Sequence, residues 1–414
     1  MLATATDLSR AGLSNAGRAG DDWAPGLLDG LSPQVLDPML TLLGQLRNDP
    51  RPDTIDLGIG VYRNEDGKTP VMDCVKRAEA MLVDHQVSKD YLSSEGDLEF
   101  VARLAPVLLG AEASDPRILG MQTPGGTGAL RLAAALVASA NPSARVWLGQ
   151  PTWPAHAGLM HAGGLETVDY PFFDRITQSI LFDDMMRALE GARAGDVVLL
   201  HGCCHNPTGA ELTPEQWRAV TELVARKGLL PLIDIAYQGL GHGLDEDAAA
   251  LRALINAVPE AIVTASCSKN FGLYRDRIGA VWVKGTHAAA AQRARSNLMM
   301  AARSMWSMPP DHGAAVVRTI LENTDLSLLW RAEVDIMRQR LRAVRLALAS
   351  ALPTLAPVAT QSGMFALLPI APGVATALRV NDGIYMLEGG RINIAGLRDE
   401  TLPRFAAAIR PYLA

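Results

Sequence analysis

Lys269 stands in SCSKNFGLYRDRIGA (Ser266–Ala280), directly after AIVTA, a run that reads as a buried strand. A strand that delivers an amine to its own end has placed that amine. A lysine whose surroundings lower the cost of its neutral form can condense with an aldehyde. Ser-x-x-Lys alone is a weak signal, and a charged segment of this kind is more often a solvated turn. That plain reading has no account of the strand placement. Arg277, close behind, could tune the amine and grip a phosphate. Asp234 lies inside the otherwise apolar LLPLIDIAY, where a carboxylate is costly unless paired. Taken singly it reads equally well as half of a structural ion pair. Beside Lys269 it reads as the carboxylate that holds a protonated ring nitrogen in an electron-sink cofactor.

Other strand-end residues extend the set. TPGGTGALR brings Gly126 and Thr127 to a helix N-terminus whose backbone N–H groups suit an anion; it is neither a Walker loop nor a GxGxxG fingerprint, so a nucleotide is not the natural guest. CHNPTG sets Asn206 before Pro207, an amide aimed at a ligand or an ordinary helix-initiating turn, with TPEQW as a second cap. Trp153 and Tyr237 read as a stacking face and a phenol donor, or as core aromatics. His201, His205 and His242 lie near the same edge without metal-ligand spacing, so they read as structural or as supports behind the site residues, and no metal is expected. Arg391 (EGGRINIAG) and Arg303 (ARSMWSMPP) are guanidinium forks suited to carboxylates; only the whole constellation raises them above surface arginines.

These residues need elements to position them. From Ile118 onward, short apolar runs alternate with helical patterns: RILGMQ, RVWLGQ, DVVLLHG, LLPLIDIA, AIVTAS and IGAVWVKG read as strands. That alternation predicts an α/β fold with a largely parallel sheet covered on both faces. In such sheets ligands sit outside the carboxyl ends of the strands, where these side chains fall. The C-terminal part changes character: a long amphipathic helix (LLWRAEVDIMRQRLRAVRLALASAL), then GMFALLPI and GRINIAG, strands suited to a smaller α+β domain. The chain has 414 residues, 49% hydrophobic and 20% charged, with a formal charge of −6; this suits an enzyme with a sizeable core and gives no nucleic-acid footprint. No apolar run approaches the roughly 20 residues that span a bilayer. Four cysteines without CxxC spacing read as reduced thiols in a cytoplasm. Residues 1–25 read as a flexible arm rather than a leader.

Taken together, LGIGVYRNEDGKTPV, GGTGALR, HGCCHNPTG, DIAYQG, SKNFGLYRDRIGA and GRINIAG, in order and spacing, resemble the aspartate and aromatic amino-acid aminotransferase family of fold type I pyridoxal-phosphate enzymes. The resemblance runs from about LDGLSPQVLDPML to the C-terminus. It implies a large domain (70–336) with a mostly parallel seven-stranded sheet, and a small domain shared between 26–69 and 337–414. It also implies a homodimer with active sites at the subunit interface. By motif position, Lys269 is the lysine that bonds the cofactor aldehyde and shuttles the proton, Asp234 faces the ring nitrogen, and Asn206 and Tyr237 reach the ring hydroxyl oxygen. Trp153 stacks on the ring. Ser266, Arg277, Gly126 and Thr127 form the phosphate cup, completed by Tyr91 (KDYLSSEG) from the other subunit. Arg391 holds the α-carboxylate and Arg303, also from the neighbour, a side-chain carboxylate; Ile59 and Gly60 lie on a segment that closes over the substrate. The implied reaction moves an amino group from aromatic amino acids or aspartate to 2-oxoglutarate by a ping-pong route.

The chain departs from the family pattern near Arg303. Met308 stands where an asparagine is usual, Met305 and Trp306 are bulky or apolar, and Gln150 replaces another asparagine. An apolar rim should ease the entry of aromatic side chains, so strict aspartate specificity is not expected. The alternatives are a β-lyase or decarboxylase on the same fold, which needs no second carboxylate arginine, and a non-enzymatic interaction module, which would be expected to lose Lys269 or Asp234.

Overall fold

The structure, a computed structural model, describes residues 26–33 and 38–413; the expected arm at 1–25 lies outside the described residues. The strands of the first part are β1 Ile55–Asp56, β2 Ile118–Pro124, β3 Arg145–Gln150, β4 Glu166–Pro171, β5 Phe173–Asp174, β6 Ser179–Ile180, β7 Val197–His201, β8 Leu230–Ile235, β9 Ala261–Ser266 and β10 Ile278–Lys284. Seven form one sheet in the order β2–β10–β9–β8–β7–β3–β4. Its pairs from β9 across to β4 are parallel, and β10 is antiparallel to both neighbours. The reason for that reversal lies between β9 and β10. A parallel neighbour needs a long crossover, usually a helix, whereas the Lys269 segment is short and turns straight back.

Both faces of the sheet are covered, which is why β9 and β10 are buried at every position. Successive side chains in a strand leave on opposite faces, and the two apolar clusters divide accordingly. Leu232, Ile262 and Val281 belong to one cluster, while Ile233, Val263 and Trp282 belong to the other. GGTGALRLAAALVASA forms the helix Gly125–Ala140, immediately after β2. TPEQW caps as expected: Thr213 accepts from Gln216 N–H in a capping box, with Pro214 in the first turn of helix Pro214–Lys227.

The long helix runs Thr324–Ala351 without interruption, so the expected boundary at 336/337 falls inside it. Trp330 on this helix stacks on Phe271 at 4.5 Å and donates to the Asn270 carbonyl, which fastens the helix to the Lys269 segment. Beyond it come β11 Phe365–Leu367, β12 Ile384–Tyr385 and β13 Arg391–Asn393. β11 pairs with β13, and β12 pairs with β1 from the opposite end of the chain. Arg345, buried in the helix, donates to the carbonyls of Val358, Ser362, Gly363 and Phe365 and so fixes the approach to β11. Ser362 N–H in turn donates to the Gly209 carbonyl, which ties β11 to the loop that carries Asn206.

Candidate active site

A pocket of about 180 Å³ opens at the carboxyl edge of the sheet. Gly126, Thr127, Trp153, Asn206, Asp234, Tyr237, Ser266, Lys269 and Arg277, all named from sequence, line it, together with Leu130, His201, Ala236 and Ser268. Asp234 reaches it from the carboxyl end of β8, Ser266 from the end of β9, and Lys269 from the turn that follows. The helix Gly125–Ala140 points its N-terminus at the same place, with first-turn N–H groups that have no acceptor within the helix.

One end of the pocket is built for an anion. Ser266 and Ser268 hydroxyls lie 3.0 Å apart, and Arg277 adopts the left-handed backbone region, φ 59°, to bring its guanidinium beside Gly125. A Cβ on Gly125 would stand 2.6 Å from Arg277 Nη2, and one on Gly126 3.1 Å from the Ser266 Cβ. Only glycine leaves that cradle open. The other end carries a carboxylate. Burial raises the cost of charge on Asp234, but His156 Nε2 at 3.3 Å and Thr264 Oγ1 at 3.1 Å hold its pKa below the ordinary value. His156 is itself oriented by Thr152, whose hydroxyl lies 2.8 Å from Nδ1.

Between the two ends stands the amine. Lys269 Nζ lies 4.8 Å over the Tyr237 ring. Burial pushes its pKa down to about 8; Asp234 pulls it back up, and Arg277 and Arg391 add to the depression. Burial likewise raises the Tyr237 phenol, so it stays protonated. Asn206 Nδ2 donates to the Tyr237 hydroxyl at 3.4 Å, and the Asn206–Pro207 peptide that follows it is cis. Its Oδ1 is buried without a hydrogen-bond partner among the described residues, as is His201 Nε2. Unsatisfied buried polar atoms facing a cavity call for a ligand's polar groups.

The family model for class I and II aminotransferases matches residues 52–409. A tyrosine aminotransferase of Rhizobium meliloti is 51% identical over 376 residues, 90% of this chain and 96% of that one. The aspartate aminotransferase of Escherichia coli K12 is 41% identical over 392 residues, 92% of this chain and 99% of its own. Among solved structures, an aromatic-amino-acid aminotransferase from Burkholderia pseudomallei, covalently bound to pyridoxal phosphate, superposes with a TM-score of 0.91 at 36% identity, covering 94% of this chain and all of that one. The chain belongs to the class I and II aminotransferase family. It is a transaminase.

The remaining sequence-named residues of this aminotransferase fall outside the pocket. Arg391 lines an adjoining, mostly apolar cleft with Thr152, Pro154 and Pro207, and its guanidinium lies 4.6 Å over Phe365. Gly60 packs beside Phe365, where a Cβ would stand 3.0 Å from the ring. Tyr91 is 92% exposed in the single chain, and exposed Arg303 donates to Ser307 Oγ at 2.6 Å. Gln150 turns its amide to Asp169 on the neighbouring strand, whereas Met305 and Trp306 pack on the apolar cluster that also receives Trp153. Met308 Sδ accepts the Leu92 N–H, next to Tyr91.

Sequence reasoning missed His156 and Ser268. Ser268 sits in the quoted lysine stretch, so proximity was the available signal. His156 is a lone histidine on the helix Ala155–Ala162, and nothing in its local sequence pairs it with Asp234. His201, His156 and Asp234 bring ligand-type atoms within 4.8 Å of one another, but the Asp234 oxygens already accept from His156 and Thr264. His205 stacks on Phe172 and meets His201 at a tilt, and His242 lies 3.6 Å from Glu211. Among the described residues, no helix is long and apolar enough to cross a membrane.

Proposed function

We propose that the 180 Å³ pocket seats pyridoxal phosphate, the cofactor of this aminotransferase, and that Lys269, Asp234 and Tyr237 carry the chemistry there. The donor set fits the group end to end. Ser266, Ser268, Arg277, Thr127 and the helix N-terminus suit its phosphate; Asp234 suits its ring nitrogen. Asn206 and Tyr237 meet its hydroxyl oxygen, and Trp153 its ring face. Bound there, the cofactor supplies an aldehyde that accepts the amino group and a ring that takes up electron charge. Asp234 keeps the ring nitrogen protonated, and a fixed charge of this kind acts where charge develops in the transition state. Lys269 Nζ, once released by the incoming amino acid, takes the proton from the substrate Cα and returns it to the cofactor side as general base and then acid. A pKa of about 8 suits that double duty near neutral pH.

Amino groups pass from aromatic amino acids or aspartate to 2-oxoglutarate in a ping-pong cycle: the first 2-oxo acid leaves before the second enters. Arg391 grips the α-carboxylate of every substrate, with Gly60, Trp153 and Asn206 beside it. The protein is a homodimer with shared sites. Tyr91 of the partner subunit completes the phosphate cup, and Arg303 of the partner subunit receives a side-chain carboxylate. Exposed Tyr91, Val83, Val87 and Met300 support that interface, since apolar surface of this kind marks association sites. The large domain takes 70–336 and the small domain 26–69 with 337–414, consistent with the β1–β12 pairing. Buried free thiols fit the reducing cytoplasm.

The observation that carries the residue assignment is the depressed Lys269 amine held between an anion cradle and a buried carboxylate. A panel of amino donors assayed against 2-oxoglutarate tests the reaction, and the cofactor absorbance of the wild type against Lys269→Ala tests the residue assignment. Glutamate formation from phenylalanine, tyrosine and aspartate is expected. Release of ammonia or carbon dioxide instead would mean a lyase or decarboxylase.

A further inference from the structure

Arg391 and Asn393 lie two apart on β13, so their side chains leave on the same face. Both reach the loop that follows β1. Arg391 Nη2 donates to the Gly58 carbonyl at 2.9 Å. Asn393 is fully buried and gives its Nδ2 to two carbonyls, Ile59 at 2.6 Å and Val61 at 2.7 Å. Its Oδ1 serves its own segment, accepting Ala395 N–H at 3.0 Å. The amide therefore divides its work: the oxygen caps the turn after β13, and the nitrogen holds the loop. Only a carboxamide combines one acceptor with two donors in this way; a carboxylate has no donors to offer.

The loop has a second fastening, to the other side of the site. Tyr62 N–H donates to the Tyr274 hydroxyl at 2.8 Å, in the segment that carries Lys269. Between the two fastenings lies Gly60, pressed on Phe365, whose ring faces the Arg391 guanidinium and meets the Tyr237 ring edge-on at 5.9 Å. Loop, arginine and pocket wall thus form one stack, and Asn393 sets the height of the loop in it.

We infer that Asn393 is a positioning residue for substrate binding: its two amide donors hold Ile59–Gly60 at the substrate's edge while Arg391, on the same strand face, grips the carboxylate. This rests on the assignment of Arg391 as carboxylate receptor made above. The loop touches none of the cofactor-pocket residues Lys269, Asp234 or Ser266 through a hydrogen bond, so its displacement should weaken substrate binding and leave the chemistry of the bound cofactor intact.

Asn393→Ser separates the two duties, because a serine hydroxyl can still accept Ala395 N–H but is too short to bridge both loop carbonyls. In the holoenzyme, KM for the amino donor and for 2-oxoglutarate should each rise about tenfold while kcat stays within about threefold, the pattern of lost ground-state binding. The cofactor absorbance and its pH dependence should not move. Gly60→Ala pushes the same loop from the Phe365 side without touching Asn393, and should show the same KM-weighted loss. Unchanged KM in both variants overturns the proposal. So does an Asn393→Ser protein that sheds cofactor or melts early while Gly60→Ala binds substrate normally, because the residue then serves only the fold. A wild-type enzyme that transaminates no donor would instead sink the functional reading beneath it.

Discussion

The cofactor pocket and the substrate side of the site are built on different plans. The pocket is built within one chain apart from Tyr91: every other residue expected to face the cofactor lines one cavity, and each sits at a strand end or in the segment beside it. The substrate side is assembled. Arg391 comes from β13 and Gly60 from the loop after β1, while Arg303 is exposed in the single chain, as is Tyr91, the residue expected at the phosphate end. The residues expected to face the cofactor are therefore placed by the seven-stranded sheet. The residues expected to face only the substrate sit outside that sheet, on β13, on the loop after β1 and on the surface.

The largest effect should come from the pocket. If Lys269 carries both the covalent link and the proton shuttle, Lys269→Ala should lower kcat by at least about 10⁴-fold in a donor assay. Asp234→Ala should still bind cofactor by absorbance, yet lose about 10³-fold in kcat, since it removes the fixed charge without opening the anion cradle. Near-normal turnover in that variant would take Asp234 out of the mechanism.

On the substrate side the effects should be selective. Arg303→Leu should lower kcat/KM for aspartate and glutamate by about 10²-fold or more, the cost of an unpaired carboxylate in a closed site, and change phenylalanine and tyrosine little. Arg391→Leu should harm all donors alike. Equal losses for aspartate and phenylalanine in Arg303→Leu would erase the difference between the two arginines. Mixing Arg303→Ala with Lys269→Ala subunits should recover about a quarter of wild-type activity toward dicarboxylates, because about half the dimers are mixed and each holds one intact site. No recovery would return Arg303 to its own subunit.

The smallest expected effect is a titration. In cofactor-free protein, acylation of Lys269 should follow a midpoint near 8 rather than the ordinary 10.5. The sign also bears on stability. Between those values the unfolded chain binds the proton that the folded chain has lost, so this group's contribution to stability rises with pH across the window. A midpoint near 10.5 would show the amine to be solvated.

Local sequence determined much of this protein. An apolar run followed by a polar residue is a strand delivering a side chain to the sheet edge. That alone brought Asp234, Ser266, Lys269 and the GGTG turn to one cavity, because parallel strands share a carboxyl edge. The TPEQW cap and the long helix were legible for the same reason: capping and periodicity are properties of neighbours in the chain. Tertiary structure alone decided what lies across gaps in sequence. It set His156 on Asp234, placed Asn393 under Ile59 and Val61, and turned Gln150 away to Asp169. It also ran one helix through the 336/337 boundary. These contacts depend on where two distant segments pack, and a hydrogen bond between them leaves no local period, spacing or composition by which either partner announces the other.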